Sequence, residues 1–236
     1  KLRFAALSDE SLYEGEKTEP EIIVDFSEKA KTITIRDYGI GMSRDEVTEN
    51  LGTIARSGTK QFFKNLEKKD QESSELIGQF GVGFYSAFIV AEKVIVSTRK
   101  AGLKAEEGTR WESEGKGEFT LETITKKKRG TEIILHLKKE CKSFAANAIL
   151  KNICKKYSNH ISVPVMMPKD DGASGFEKVN EGFSLWRKSK NEISDIEYDD
   201  FYKSISFDFE KPLKHIHTKA EGKVEYTRSE EHTSEL

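Results

Sequence analysis

Lys31-Thr-Ile-Thr-Ile-Arg-Asp-Tyr-Gly-Ile-Gly-Met42 decides the fold. Thr32 and Thr34 alternate with Ile33 and Ile35, the period of a half-buried strand. The strand runs straight into Asp37-x-Gly39-x-Gly41. Upstream, Glu21-Ile-Ile-Val-Asp-Phe26 is expected as its hairpin partner, joined by a turn at Ser27 to Ala30. Downstream, Ser43 and Glu46 form a capping box, so a helix starts there, and Gly52 ends it.

A second glycine cluster lies beyond a polar, lysine- and glutamate-rich excursion from Thr53 to Ser74, which holds one short helix expected around Gln61 to Lys68. It reads Gly78-Gln-Phe-Gly81-Val-Gly83-Phe84 and opens an apolar helix expected over Tyr85 to Ala91. Strands are expected at Val94 to Arg99, Arg110 to Ser113, Phe119 to Ile124 and Thr131 to Leu137. An amphipathic helix is expected over Phe144 to Tyr157, and a last strand at Ile161 to Met167. Strands with helices gathered on one side predict an α+β fold, a two-layer sandwich with a mostly antiparallel sheet under helices. Pro168 to Gly182 reads as a linker. Trp186 to Tyr226, with a second capping box at Ser194 and Glu197, starts a further α/β unit. Arg228 to Leu236 is polar, has no periodicity and matches the translation of a common sequencing-adapter strand, so it is expected to be non-native.

Composition narrows the function. The 236 residues carry 39 Lys and Arg against 41 Asp and Glu, a net charge of −2, so the basic excess of a nucleic-acid binder is missing. No apolar run nears the ~20 residues of a membrane span. The two cysteines, Cys141 and Cys154, do not make a disulfide framework or a zinc site. This suits a cytoplasmic protein with reduced thiols.

Neither glycine cluster has the dinucleotide spacing, and there is no P-loop. The order of the two clusters instead points to a purine nucleotide pocket. An ionised Asp37 only accepts hydrogen bonds, which suits the exocyclic amine of adenine and not the carbonyl of guanine. Gly39 and Gly41 allow close backbone approach, and Met42 supplies an apolar wall. The Gly81, Val82 and Gly83 amides precede a helix N-terminus, where phosphate is favoured. Thr131 shares a strand face with Ile133, Leu135 and Leu137, so its hydroxyl needs a partner, with a bound water or an adenine nitrogen as the functional reading and an ordinary strand threonine as the structural one.

From about Lys1 to Thr227 the sequence resembles the heat-shock protein 90 family, its bacterial members above all. Asn50-Leu-Gly-Thr-Ile-Ala-Arg-Ser-Gly-Thr-Lys60, Ile77 to Phe88, Arg129 to Leu137 and Tyr198 to Tyr226 carry the likeness. The resemblance implies an ATP-dependent molecular chaperone, a constitutive homodimer that closes a lid over ATP and Mg2+ and remodels unfolded or partly folded clients. It implies that Asp37 binds the adenine amine with Thr131 assisting through water. Gly41, Met42 and Phe84 would line the base, and Asn50 and Leu51 would flank sugar and phosphates. Arg56, where the family usually has lysine, and Ser57 complete the ATP-binding set. The lid would run from Gly52 to about Phe80.

The resemblance also implies domains: 1–167 for ATP binding, lacking an N-terminal strand and helix, 168–182 as linker, and 183–227 as the start of a middle domain. The family's water-activating glutamate and magnesium-holding asparagine are expected upstream of Lys1, leaving no catalytic or metal residue here and a fragment unable to hydrolyse ATP. Glu46 and Asn50 have that E-x-x-x-N spacing but come after D-x-G-x-G and are rejected. Rival readings are a gyrase-type topoisomerase, mismatch-repair ATPase or histidine kinase of the same superfamily, or a protein-binding module that uses no nucleotide.

Overall fold

The computed structural model describes residues 1–15, 19–52, 81–170, 174–182, 185, 188–206, 210–220 and 226–232. The chain divides into two compact units, Lys1–Leu150 with Met166–Glu177, and Lys151–Val165 with Lys178–Leu236.

The first unit begins with α1 (Leu2–Ala6) and a 3-10 turn at Glu10–Tyr13. Strands β1 (Ile22–Ser27) and β2 (Thr32–Asp37) form the expected hairpin, with Val24 opposite Ile35 and Phe26 opposite Ile33. Helix α2 (Arg44–Leu51) carries the Ser43–Glu46 capping box, and Gly52 is its C-cap. Next come a 3-10 turn at Gly83–Ser86 and one α-turn, α3 (Ala87–Val90). The apolar helix expected over Tyr85 to Ala91 is thus two short turns, and Ala91 already opens β3 (Ala91–Arg99). Ala91, Val94 and Val96 are buried while Glu92 is exposed, so the strand's burial pattern starts one residue inside the expected helix.

Strands β4 (Gly108–Ser113), β5 (Thr120–Ile124) and β6 (Gly130–Leu137) come next, then α4 (Asn147–Ser158), β7 (Val165–Pro168) and β8 (Phe176–Lys178). Among the described residues they build one eight-stranded sheet in the order β5-β4-β3-β6-β2-β1-β7-β8. The pairs β1–β2, β2–β6, β6–β3, β3–β4 and β4–β5 are all antiparallel. Val94, Val96, Ile33, Leu135, Leu137 and Trp111 are buried in the sheet, as are Val47 and Leu51 of α2. This is the α+β architecture expected.

Within the segment expected as a linker, 168–182, the described residues include β8. The buried Asn180 anchors its end: Oδ1 accepts the Val165 N–H at 2.8 Å, and Nδ2 donates to the Ile161 carbonyl at 2.8 Å. One amide side chain thereby replaces strand partners, which a composition rich in Gly, Asp and Ser does not reveal. The strand expected from Ile161 is confined to β7.

The second unit takes in α4 from Lys151 onward, and contains α5 (Asp195–Ser206) and a hairpin of β9 (Lys214–Ala220) with β10 (Tyr226–His232). The Ser194–Glu197 capping box forms as expected, with the Glu197 N–H donating to Ser194 Oγ at 3.3 Å. Strand β10 takes in Arg228 to His232, which lacked any strand period; backbone pairing with β9 makes it a strand without one. Leu185, Ile193 and Tyr198 form a small core with Phe201 packed against it.

Candidate nucleotide site

The site begins with register. Strand β6 lies between β2 and β3, which puts Asp37 opposite Thr131, and Thr131 opposite Thr98. Directly opposed residues share a sheet face. A carboxylate and two hydroxyls therefore form a row across three strands.

Asp37 Oδ1 accepts the Gly39 N–H at 2.8 Å, an Asx-type turn that bends the chain out of β2. Burial pushes the Asp37 carboxyl above its ordinary value, and hydrogen bonds from the Gly39 and Thr131 backbones and the charge of Lys126 counter that shift. Thr98 is fully buried. Its Oγ1 accepts the Met42 N–H at 3.0 Å, lies 3.2 Å from the Gly130 carbonyl and 3.0 Å from Thr131 Oγ1. Within the protein, the Thr131 hydroxyl meets that of Thr98, a contact the sequence reading did not foresee.

Two glycines let the backbones meet here. Gly41 has φ +65°, and a Cβ on it would lie 1.9 Å from the Arg99 carbonyl oxygen. Gly130 has φ +101°, and its Cβ would lie 2.3 Å from the Asp37 carbonyl oxygen. The Ala101 N–H donates to the Ile40 carbonyl at 2.8 Å, closing the D-x-G-x-G loop onto the end of β3.

Behind the loop the Arg99 side chain, 3% exposed, is held bidentately by Glu14 at 2.8 and 2.7 Å. It also donates to the Lys126 and Lys127 carbonyls at 2.8 and 2.9 Å. Glu14 accepts the Gly102 N–H, and Arg129 donates to the Tyr13 carbonyl at 2.9 Å. The N-terminal segment is thereby fastened to the loops that enclose Gly41 and Gly130.

The expected site residues fall into two groups. Asp37, Gly41, Met42 and Thr131 are joined by the hydrogen bonds and close approaches above. Leu51 ends α2 beside Asn50, and its carbonyl accepts the Tyr85 hydroxyl at 3.2 Å. Phe84 packs edge-on against Tyr85 at 5.7 Å and against Trp111 at 5.5 Å, and Trp111 stacks on Phe119 at 6.0 Å. Gly81 takes φ +70°, Val82 exposes its side chain, and Gly83 begins the 3-10 turn. With α3 only one turn long, the helix-dipole argument for phosphate at Gly81 to Gly83 is much weaker than the sequence implied. Arg56, Ser57 and the expected lid beyond Gly52 lie outside the described residues.

Glu46 has both carboxylate oxygens engaged locally. Oε2 accepts the Ser43 N–H at 2.8 Å, and Oε1 pairs with Lys100 at 2.7 Å. A carboxylate held this way caps the helix and ties it to Lys100. Among the described residues no group of three or more His, Cys, Asp or Glu could hold a metal ion. No helix among them is long and apolar enough to cross a membrane.

Sequence reasoning missed Thr98, Gly130 and the Glu14–Arg99 clamp. Thr98 had a signal: it continues the buried series Val94, Val96 as a polar member. The clamp had none, because 85 residues separate its partners.

A half-buried acceptor carboxylate under a glycine loop, on an antiparallel sheet, defines a class of ATP-binding domain. Residues 13–147 match the family model of the histidine kinase-, DNA gyrase B-, and HSP90-like ATPases, and residues 170–228 match that of the Hsp90 protein. The chain belongs to the family of the first model, whose match covers more than half of it. It is 49% identical over 236 residues to the chaperone protein HtpG of Methylococcus capsulatus, covering 96% of this chain and 37% of the relative. The HtpG proteins of Coxiella burnetii and Shewanella amazonensis are each 52% identical, with 96% of this chain covered and 37% and 38% of theirs. The chain thus spans little more than a third of the length of these relatives.

Proposed function

We propose that the chain is the adenine-binding part of an ATP-dependent molecular chaperone, in which bound ATP drives lid closure and hydrolysis accompanies the remodelling of unfolded client proteins. The observation that carries this reading is the Asp37 carboxylate. It is half-buried at the end of β2, oriented by the Gly39 N–H, and retains acceptor capacity for an amine. The family matches support it, as does the likeness to the HtpG chaperones. The separate Hsp90 match at 170–228 supports reading 183–227 as the start of a middle domain. A cytoplasmic homodimer, with Mg2+ accompanying the nucleotide, and with Asn50, Arg56, Ser57 and Gly81 to Phe84 on the sugar and phosphate side, belongs to the same proposal.

Asp37→Asn is the test. Asparagine keeps an oxygen for the Gly39 N–H, so the turn survives, but its amide presents donors to the adenine amine. A charge-assisted bond of about 1.5–3 kcal/mol is lost. Calorimetry on the protein extended to its relatives' length should show ATP affinity reduced by about ten- to a hundred-fold, with the melting temperature nearly unchanged. Equal affinity in the variant would remove Asp37 from the site.

A further inference from the structure

We infer that Thr98 is a positioning residue that turns the Thr131 proton outward, so that the site reads the N1 edge of adenine as well as its amine. The inference rests on the adenine reading above and extends it to a residue that touches no ligand.

The two hydroxyls share a limited supply of protons. A threonine hydroxyl has one proton to donate and two lone pairs. One lone pair of Thr98 Oγ1 is taken by the Met42 N–H at 3.0 Å. Its single proton has two acceptors in reach, the Gly130 carbonyl at 3.2 Å and Thr131 Oγ1 at 3.0 Å. If the proton goes to Gly130, Thr131 donates inward to Thr98 and shows only lone pairs outward. If it goes to Thr131, the Thr131 proton is released toward the face it shares with Asp37. Beside the exocyclic amine of adenine lies N1, an unprotonated acceptor, and it requires a donor. In hypoxanthine and guanine that nitrogen carries a proton.

Adenine therefore selects the second arrangement, directly or through one water, and Thr98 holds it. Burial matters, because a hydroxyl shielded from water cannot be reoriented by solvent, and a donated bond into Thr131 Oγ1 polarises its outgoing one. The Met42 bond places the pocket wall and the proton donor on one atom. Asp37, Thr131 and Thr98 then act as an acceptor, a donor and the group that fixes the donor's direction.

The test compares ATP with 1-deaza-ATP, which carries C–H in place of N1, by calorimetry on the protein extended to its relatives' length. The unaltered protein should bind the analogue about ten-fold more weakly, the upper range for one neutral hydrogen bond. In Thr98→Val that penalty should shrink below about two-fold, while Thr98→Ser restores it. Thr98→Cys, a weaker donor of similar volume, should give an intermediate penalty and serves if Thr98→Val does not fold. A purely structural Thr98 would weaken both ligands alike. An unchanged ratio in the valine and cysteine variants therefore overturns the inference and leaves the adenine reading standing. Equal binding of the two ligands by the unaltered protein overturns the Thr131–N1 contact and the inference with it. Failure of the unaltered protein to bind ATP overturns the adenine reading itself.

Discussion

The two units each bury a polar cluster, and the clusters differ in what they leave over. In the second, the Tyr198 hydroxyl and His217 Nδ1 lie 2.9 Å apart, both residues are buried, and His215 stacks on the Tyr198 ring at 3.9 Å. That pairing joins α5 to β9. In the first, Asp37 and Thr131 are only half-buried, and a carboxylate has more lone pairs than its two backbone donors use. A closed cluster stabilises, whereas an open one at the ends of strands has capacity for a ligand.

The strongest way to break this contrast is Gly41→Ala. The added Cβ would meet the Arg99 carbonyl oxygen at 1.9 Å, in a backbone conformation that alanine resists. Backbone has to move on both sides, and a loss above about 3 kcal/mol is expected, at the far end of what single substitutions do. A denaturant midpoint close to that of the unaltered protein would show that the loop is not packed this way. Tyr198→Phe should have a smaller effect, about 1–2 kcal/mol for a buried bond removed with its partner left in place. It should leave ATP affinity unchanged by calorimetry; a matching loss of affinity would mean that the two clusters are not independent in role.

Acid provides the mildest test. The hydrogen bond from Arg99 holds the Glu14 carboxyl below its ordinary value of 4.5. A carboxyl lowered in the folded state stabilises above its unfolded value, and that contribution disappears as pH falls through the folded one. Thermal stability should therefore drop with acidification below about 4.5, and Glu14→Gln should flatten part of that slope. An identical slope in the variant would show that the clamp does not respond to pH.

Much of the candidate site was legible because its residues are neighbours in sequence. Asp37, Gly39, Gly41 and Met42 lie within six positions, and strand alternation says where the strand must stop. The Ser43–Glu46 and Ser194–Glu197 boxes were legible for the same reason, since caps are local chemistry. The helix expected at Tyr85 to Ala91 formed as a 3-10 turn and one α-turn, and only its last residue, Ala91, went to the strand that follows. Strand β8 and the bonds of Asn180 within 168–182 were not legible, because one side chain there supplies what periodicity would otherwise announce.

The sequence by itself determined the hairpin, the capped helix, the acceptor aspartate ahead of the glycine loop and the α+β class, all of which come from short-range periodicity and donor–acceptor chemistry. Only the tertiary structure decided that β6 enters between β2 and β3, and every contact this creates: Thr98 beside Thr131, Gly130 against Asp37 and Gly41 against Arg99. The physical reason is that a strand's pattern fixes which face is buried but not which strand lies beside it. Neighbours come from burying the whole sheet at once, and the proton order of a hydroxyl row exists only after they are chosen.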